Sequence, residues 1–205
     1  MHAILVAVTE RLKSSDESLI RIPEICLATG VNYGSVYHHF GSREGVIDAA
    51  YEMMFMTMVE EDIDVIRSID LSANTIDEFI NALQPILLRL SADSDRRERR
   101  SQRARIVAAS LTRPELRTLI GAAQAHLTDE LSHVVKVGQD RGWIRTEISA
   151  HALAVMMQAI VIGRTIDDIS LTPIPQAEWD GLFHVIFANV LDLSDAPHDI
   201  ERVLD

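Results

Sequence analysis

The alternation of apolar and polar positions predicts helices along the whole chain. A first helix is expected from about His2 to Lys13, ending at the polar turn Ser14-Ser15-Asp16-Glu17-Ser18. Over Ile22–Thr29, the apolar residues Ile22, Ile25 and Leu27, with Ala28 beside them, fit a short helix with one buried side. Pro23 suits an early position in it, because its missing N–H is not needed there. Gly30 ends this helix, as glycine commonly does just past a helix C-terminus, and Asn32 is placed to cap the next. That next helix, about Tyr33 to His39, is followed at once by Phe40, and Val36, Tyr37 and Phe40 return to one face. Two short helices joined by a tight glycine-containing turn are the geometry that lays a second helix in a DNA major groove.

Beyond this pair, Ser42 is expected to cap a long helix reaching about Ile66, on the spacing of Val46, Ile47, Ala50, Met54 and Met58. A domain boundary is placed near Ala50, giving residues 1–50 and 51–205. After a loop from Ser68 to Asn74, a fifth helix starts at Asn74 or Thr75, with Asp77 and Glu78 near its positive end, and runs to Leu90. Pro85 should kink or break it. Ser91 to Asp95 forms a turn, a sixth helix follows to about Ser110, and Pro114 lies early in a seventh that ends by Gly142, with Gly138 fraying its last turn. Trp143 to Thr146 is a connector. Ser149 caps an eighth helix to about Ile169, Thr172-Pro173-Ile174-Pro175 breaks it, and a ninth spans about Gln176 to Leu193 before a loose polar tail. The fold class is all-α, about nine helices: a three-helix N-terminal domain and a larger helical domain.

Composition narrows the picture. The 205 residues are 47% hydrophobic and 24% charged, ample for a packed core. No apolar run is long enough to span a membrane, and Met1 to Val8 lacks the basic leading region of a signal peptide, so a cytoplasmic protein is expected. The single cysteine, Cys26, excludes an intrachain disulfide and reads as a small core residue. The net charge of −12 argues against DNA binding, since a basic footprint is its usual electrostatic sign. Residues 1–50 carry −2 and the remainder −10. A local cationic patch still suffices where a dimer doubles each phosphate contact and hydroxyls and amides add their own.

The run Gly30-Val31-Asn32-Tyr33-Gly34-Ser35-Val36-Tyr37-His38-His39-Phe40-Gly41-Ser42-Arg43-Glu44 resembles the signature of the TetR family of bacterial transcriptional regulators. The match is dense over Ile22 to Glu44; elsewhere the resemblance rests on length and helix layout. It implies an all-helical homodimer whose N-terminal domain binds a palindromic operator in double-stranded DNA and whose C-terminal domain binds a small effector. Carried over by position, Tyr33, Gly34 and Ser35 open the recognition helix towards base edges, Gly34 allowing close approach. Tyr37 and His38 stand at phosphate-contact positions, and Arg43, where the family has Lys, pairs with phosphate. Phe40 and Val36 read as core. The chain departs from the pattern before the second helix, where Ile20-Arg21-Ile22-Pro23 replaces the family's capping Ser or Thr: Arg21 offers a phosphate contact but no cap.

The remaining chemistry is sparser. Arg96-Arg97-Glu98-Arg99-Arg100-Ser101-Gln102-Arg103-Ala104-Arg105 is either a solvated helix face paired with nearby acids or a site for an anion; Arg103 and Arg105 are the candidates to look inward. His126, Glu130 and His133 share one side of a helix at metal-ligand spacing but lack a fourth ligand, so no metal is assigned. Arg103, His126 and Gln158 are the candidate effector contacts. Helices near 149–169 and 176–193, with small residues at Ala152, Ala159 and Gly163, are expected to form the dimer interface. No nucleophile–base pair, HExxH or cofactor loop is present, so neither enzyme activity nor a cofactor is expected. The reading is a ligand-responsive regulator, most simply a repressor released by a largely apolar effector. The alternative is a helical ligand-binding or interaction protein that has lost DNA binding.

Overall fold

The computed structural model describes residues 1–83, 86 and 94–190, apart from the side chains of 94, 95, 184 and 188. Among these residues the chain forms α1 (His2–Ser14), a 3-10 turn (Glu17–Leu19), α2 (Ile22–Thr29), α3 (Tyr33–Phe40), α4 (Arg43–Arg67) and α5 (Ile76–Ala82). Then come α6 (Ser94–Ser110), α7 (Pro114–Asp140), α8 (Ala150–Gly163), the single turn α9 (Thr165–Asp168) and α10 (Gln176–Val190). The all-α class is as expected. The eighth helix read from the sequence is divided at Gly163–Arg164 into α8 and α9. The Pro85 kink, the helix end at Leu90, most of the turn before α6, the last residues of the final helix and the polar tail lie outside the described residues.

The caps follow from local chemistry. Asp16 caps the 3-10 turn through Ser18 N at 2.8 Å, Thr75 accepts from Glu78 N at 3.2 Å, and Ser149 accepts from Ala152 N at 3.3 Å. At the start of α5, Glu78 reaches back to accept from Asn74 N at 2.8 Å, one residue before the Thr75 cap whose own N–H a capping box would use. Thr75, rather than Asn74, is therefore the cap.

The chain divides into two compact units, Met1–Glu60 with Arg105–Gln124, and Glu61–Ala104 with Ala125–Asp205; the boundaries fall inside α4, α6 and α7. In the first unit Ile4, Val8, Leu12, Ile22, Ile25, Val36, Val46, Ile47, Phe55, Ile106 and Leu116 are buried. Its second stretch braces the first. Arg105 donates to Leu12 O at 2.6 Å, and Arg113 donates to Asp48 at 2.8 Å and also to Glu17. Leu27, expected on the buried side of α2, is instead 87% exposed. On an eight-residue helix the buried stripe is carried by Ile22, Ile25 and Cys26, and Leu27 falls beside it.

In the second unit Ile63, Ile66, Phe79, Leu127, Leu131, Val134, Ile144, Leu153 and Phe183 are buried. Gly138 does not fray α7. A Cβ there would lie 2.7 Å from Ile144 Cδ1 and 3.1 Å from Phe79, and its carbonyl accepts from Trp143 N at 2.9 Å. It is glycine because the connector folds back against the helix. Asp167 holds the α9–α10 connection by accepting from Ile174 N at 2.9 Å and Trp179 Nε1 at 3.0 Å. One face of α8 and α9 carries Ala152, Val155, Met156, Ala159, Gly163 and Ile166 in solvent, and α10 exposes Leu182 and Val185. The space where a Cβ of Gly163 or Gly181 would stand is open.

Candidate functional site

The helix-turn-helix is set from both ends. α2 closes on Gly30, whose φ of 68° is a left-handed conformation that favours glycine, and Val31 N donates to Cys26 O at 3.1 Å. Asn32 Oδ1 then accepts from Ser35 N at 3.0 Å, fixing the first turn of α3. A Cβ at Gly34 would press to 3.2 Å on that cap oxygen, so the glycine keeps room for the cap as well as thinning the exposed edge of the helix. At the far end Ser42 Oγ accepts from Gly45 N at 3.0 Å to open α4. A Cβ on Gly45 would fall 2.1 Å from the Phe40 carbonyl oxygen, so the α3–α4 junction admits glycine alone without a backbone shift. The sequence reading missed this residue; the signal was a glycine inside the first turn of a helix, where it costs stability unless space demands it.

Between these ends, Val36 is buried, while Tyr33, Gly34, Ser35, His38 and His39 are exposed. The Tyr33 and Tyr37 rings lie 4.5 Å apart. Their hydroxyls hydrogen-bond, and this bond, followed by desolvation, pushes the Tyr37 hydroxyl up to about 12, so it stays protonated and able to donate across the physiological range. Phe40 is half-buried rather than core, its ring edge-on to His39 at 4.6 Å.

Two assigned phosphate contacts sit differently. Arg43 donates from Nε to Ile20 O at 3.3 Å and from its other guanidinium nitrogens to Glu17 O and to Glu44 at 3.5 Å. It ties α4 to the 3-10 turn and to the chain entering α2, sharing the Glu17 carbonyl with Ile20 N, which donates to it at 3.1 Å. Arg21 is exposed, donates to Ser18 O at 3.1 Å, and as the N-cap residue of α2 makes no side-chain cap bond, as its side-chain chemistry implied.

The second site is a cleft in the second unit, its empty space about 830 Å³ with the open solvent at its mouth included. α4 contributes Asp62, Val65 and Ile66; α7 gives Leu127 and Leu131; α8 gives Met157, Gln158, Ile160 and Val161; Ile86 and Phe187 of α10 complete the apolar lining. α6 presents Arg96, Arg99, Arg100 and Arg103. Gln158 donates to Thr128 Oγ1 at 3.0 Å and to Ala154 O at 3.1 Å.

The arginine run is thus not a solvated face. Arg100 is 3% and Arg103 7% exposed. Arg100 makes a two-pronged contact to Asp168 at 2.7 and 2.8 Å, Arg103 donates to Asp62 Oδ2 at 2.9 Å, and Arg99 reaches Asp62 Oδ1 at 3.0 Å and also Glu61. Burial lowers the Arg103 pKa; Asp62 opposes this and the like charge of Arg99 adds to it. Spacing at i, i+3, i+4 and i+7 was the signal that these four residues share one inward face.

Of the three residues expected to meet an effector, Arg103 and Gln158 line this cleft and His126 does not. His126 is exposed, with Nε2 3.9 Å from Glu130, whose carboxylate accepts from Arg67 at 2.5 and 3.1 Å. Among the described residues no group of three or more His, Cys, Asp or Glu side chains is arranged to hold a metal ion.

No protein-family profile and no curated protein matches the chain by sequence. Solved structures do match. A transcriptional regulator from Saccharomonospora viridis in complex with choline aligns over 93% of this chain and 97% of its own, with a TM-score of 0.69 at 17% identity. A TetR-family regulator from Cytophaga hutchinsonii aligns over 93% and 94%, with a TM-score of 0.62 at 17% identity. One from Rhodococcus sp. aligns over 82% and 88%, with a TM-score of 0.57 at 21% identity. The fold of this chain is that of the TetR-family transcriptional regulators.

Proposed function

We propose that the protein is a homodimeric, ligand-responsive transcription regulator, with residues 1–50 as its DNA-binding domain and 51–205 as its effector-binding and dimerisation domain. The observation that carries this reading is α3 itself: an eight-residue helix held by the Asn32 cap, anchored by buried Val36, and turning Tyr33, Ser35 and His38 to solvent. Tyr33, Gly34 and Ser35 meet base edges, and Tyr37, His38 and Arg21 meet phosphates. Arg43 acts by holding the helix pair in register. The exposed apolar faces of α8 and α10, open at Gly163 and Gly181, support pairing of two copies, since such patches mark association surfaces. Two recognition helices then read successive major grooves about 34 Å apart, and the operator is palindromic.

A small molecule in the α6-lined cleft favours a dimer state in which that spacing is lost, so effector and DNA weaken each other reciprocally and the output is repression relieved by ligand. That a regulator of the same fold is solved with choline supports a small organic effector. Selection of bound sequences from a random DNA pool tests the proposal: it predicts a two-fold symmetric site. Recovery of unpatterned DNA, and only at low salt, would reject it.

A second reading, a helical ligand-binding protein without DNA binding, is favoured by the engagement of Arg43 with backbone carbonyls and by the net −2 of residues 1–50. Under it the same selection returns nothing while ligands still bind the cleft.

A further inference from the structure

The cleft has one cationic wall, and the others are apolar but for Asp62 and Gln158. Every residue that α6 contributes to it is an arginine, at the four positions where a core-facing helix would place apolar side chains. Of the described residues in the lining, four are cationic and one, Asp62, is anionic. Glu61 and Asp168 reach Arg99 and Arg100 from outside the lining. Opposite stand Val65, Ile66, Leu127, Leu131, Ile160 and Val161. Stability does not account for this wall, because buried ion pairs replaced by apolar residues of similar volume commonly leave a protein as stable or more so. A guanidinium is also the side chain suited to hold a carboxylate through two parallel hydrogen bonds.

We infer that the cleft takes an amphipathic monoanion: an apolar body lying against α4, α7 and α8, with a carboxylate set against Arg96, Arg99 and Arg103 of α6. This rests on the effector reading above and specifies its ligand, replacing a merely apolar molecule with an anionic one. An entering carboxylate adds negative charge where like charges crowd, and Asp62, bridging Arg99 and Arg103, is the group it competes with.

Three probes that share a tail and differ in head charge test the class: decanoate, decanol and decyltrimethylammonium, titrated calorimetrically into the full chain below their aggregation concentrations. Decanoate should bind about tenfold or more tightly than decanol, the worth of one charge-assisted hydrogen bond, and the cation least. Arg96→Gln should reduce decanoate binding and leave decanol unchanged, whereas Asp62→Asn should strengthen decanoate binding. A merely structural role for these residues would move all three probes together. Equal or tighter binding of decanol or of the cation would overturn the anionic class while leaving the cleft as an effector site. Failure of all three probes to bind would overturn both.

Discussion

Asn32 and Gly45 fix the two ends of α3, one by a hydrogen bond and the other by having no side chain. Asn32→Ala removes the acceptor of Ser35 N and should cost about 1 kcal/mol in a urea titration. Gly45→Ala sets a Cβ against the Phe40 carbonyl and should cost about 2 kcal/mol, with a larger loss of DNA affinity, because the backbone that yields is the end of α3. Tyr51 offers a pH test. Burial, then the charge and hydrogen bond of Glu17, raises its hydroxyl from 10.0 to about 12. A phenol whose folded value lies above its unfolded one contributes stability that is fully present below pH 10 and is lost as pH rises towards 12. Tyr51→Phe should therefore flatten that alkaline decline in stability measured by thermal melts; an unchanged decline would assign it to other groups. At this scale the sequence was most legible where chemistry is local. Gly30, Asn32, Ser42, Thr75 and Ser149 cap helices through neighbours within a few residues. Gly45 was missed although a glycine in a first helical turn was its signal, and Gly138 was not legible, because the Ile144 and Phe79 side chains that exclude a Cβ there are brought back by the fold.

α6 shows what the helical pattern can and cannot tell. Its existence and C-terminal end were readable, and the spacing of Arg96, Arg99, Arg100 and Arg103 marked one shared face, but what that face meets was not, because a stripe of arginines carries no hydrophobic signal and its partners, Asp62 and Asp168, are far away in sequence. Asp168 itself read as part of a helix end. The prediction at this scale concerns that partnership. Asp168→Ala withdraws the two-pronged carboxylate from Arg100, which is almost fully buried, and should destabilise the protein by about 3–5 kcal/mol. Adding Arg100→Met to Asp168→Leu should recover most of that loss in a double-mutant cycle, since the penalty comes from the charge left behind. No recovery would mean that Arg100 holds α6 through contacts other than this pair. His126 was misplaced for the converse reason: a polar residue near the middle of a long helix gives no sign of which side faces the cleft.

For the whole molecule, the proposed pairing of two copies rests on the exposed apolar faces of α8 and α10. Val155→Arg or Gly163→Arg fits the single chain, since the space at Gly163 is open and Val155 is in solvent. Either should shift the protein from dimer to monomer by sedimentation velocity and abolish operator binding while leaving the melting temperature of the monomer nearly unchanged. The fold class could be read from the chain because helix periodicity and caps recur along it. The small residues Ala152, Ala159 and Gly163 marked one of these faces in the sequence, but which apolar neighbours join them could not be read, because apolar residues on a surface and in a core give the same pattern. The most direct test of the account is competition between the selected palindrome and a scrambled duplex of equal length at physiological salt, read by fluorescence anisotropy. The account predicts binding of two protomers per palindrome with a preference of about a thousandfold or more. Equal affinity for the two duplexes, fading together as salt rises, would contradict it.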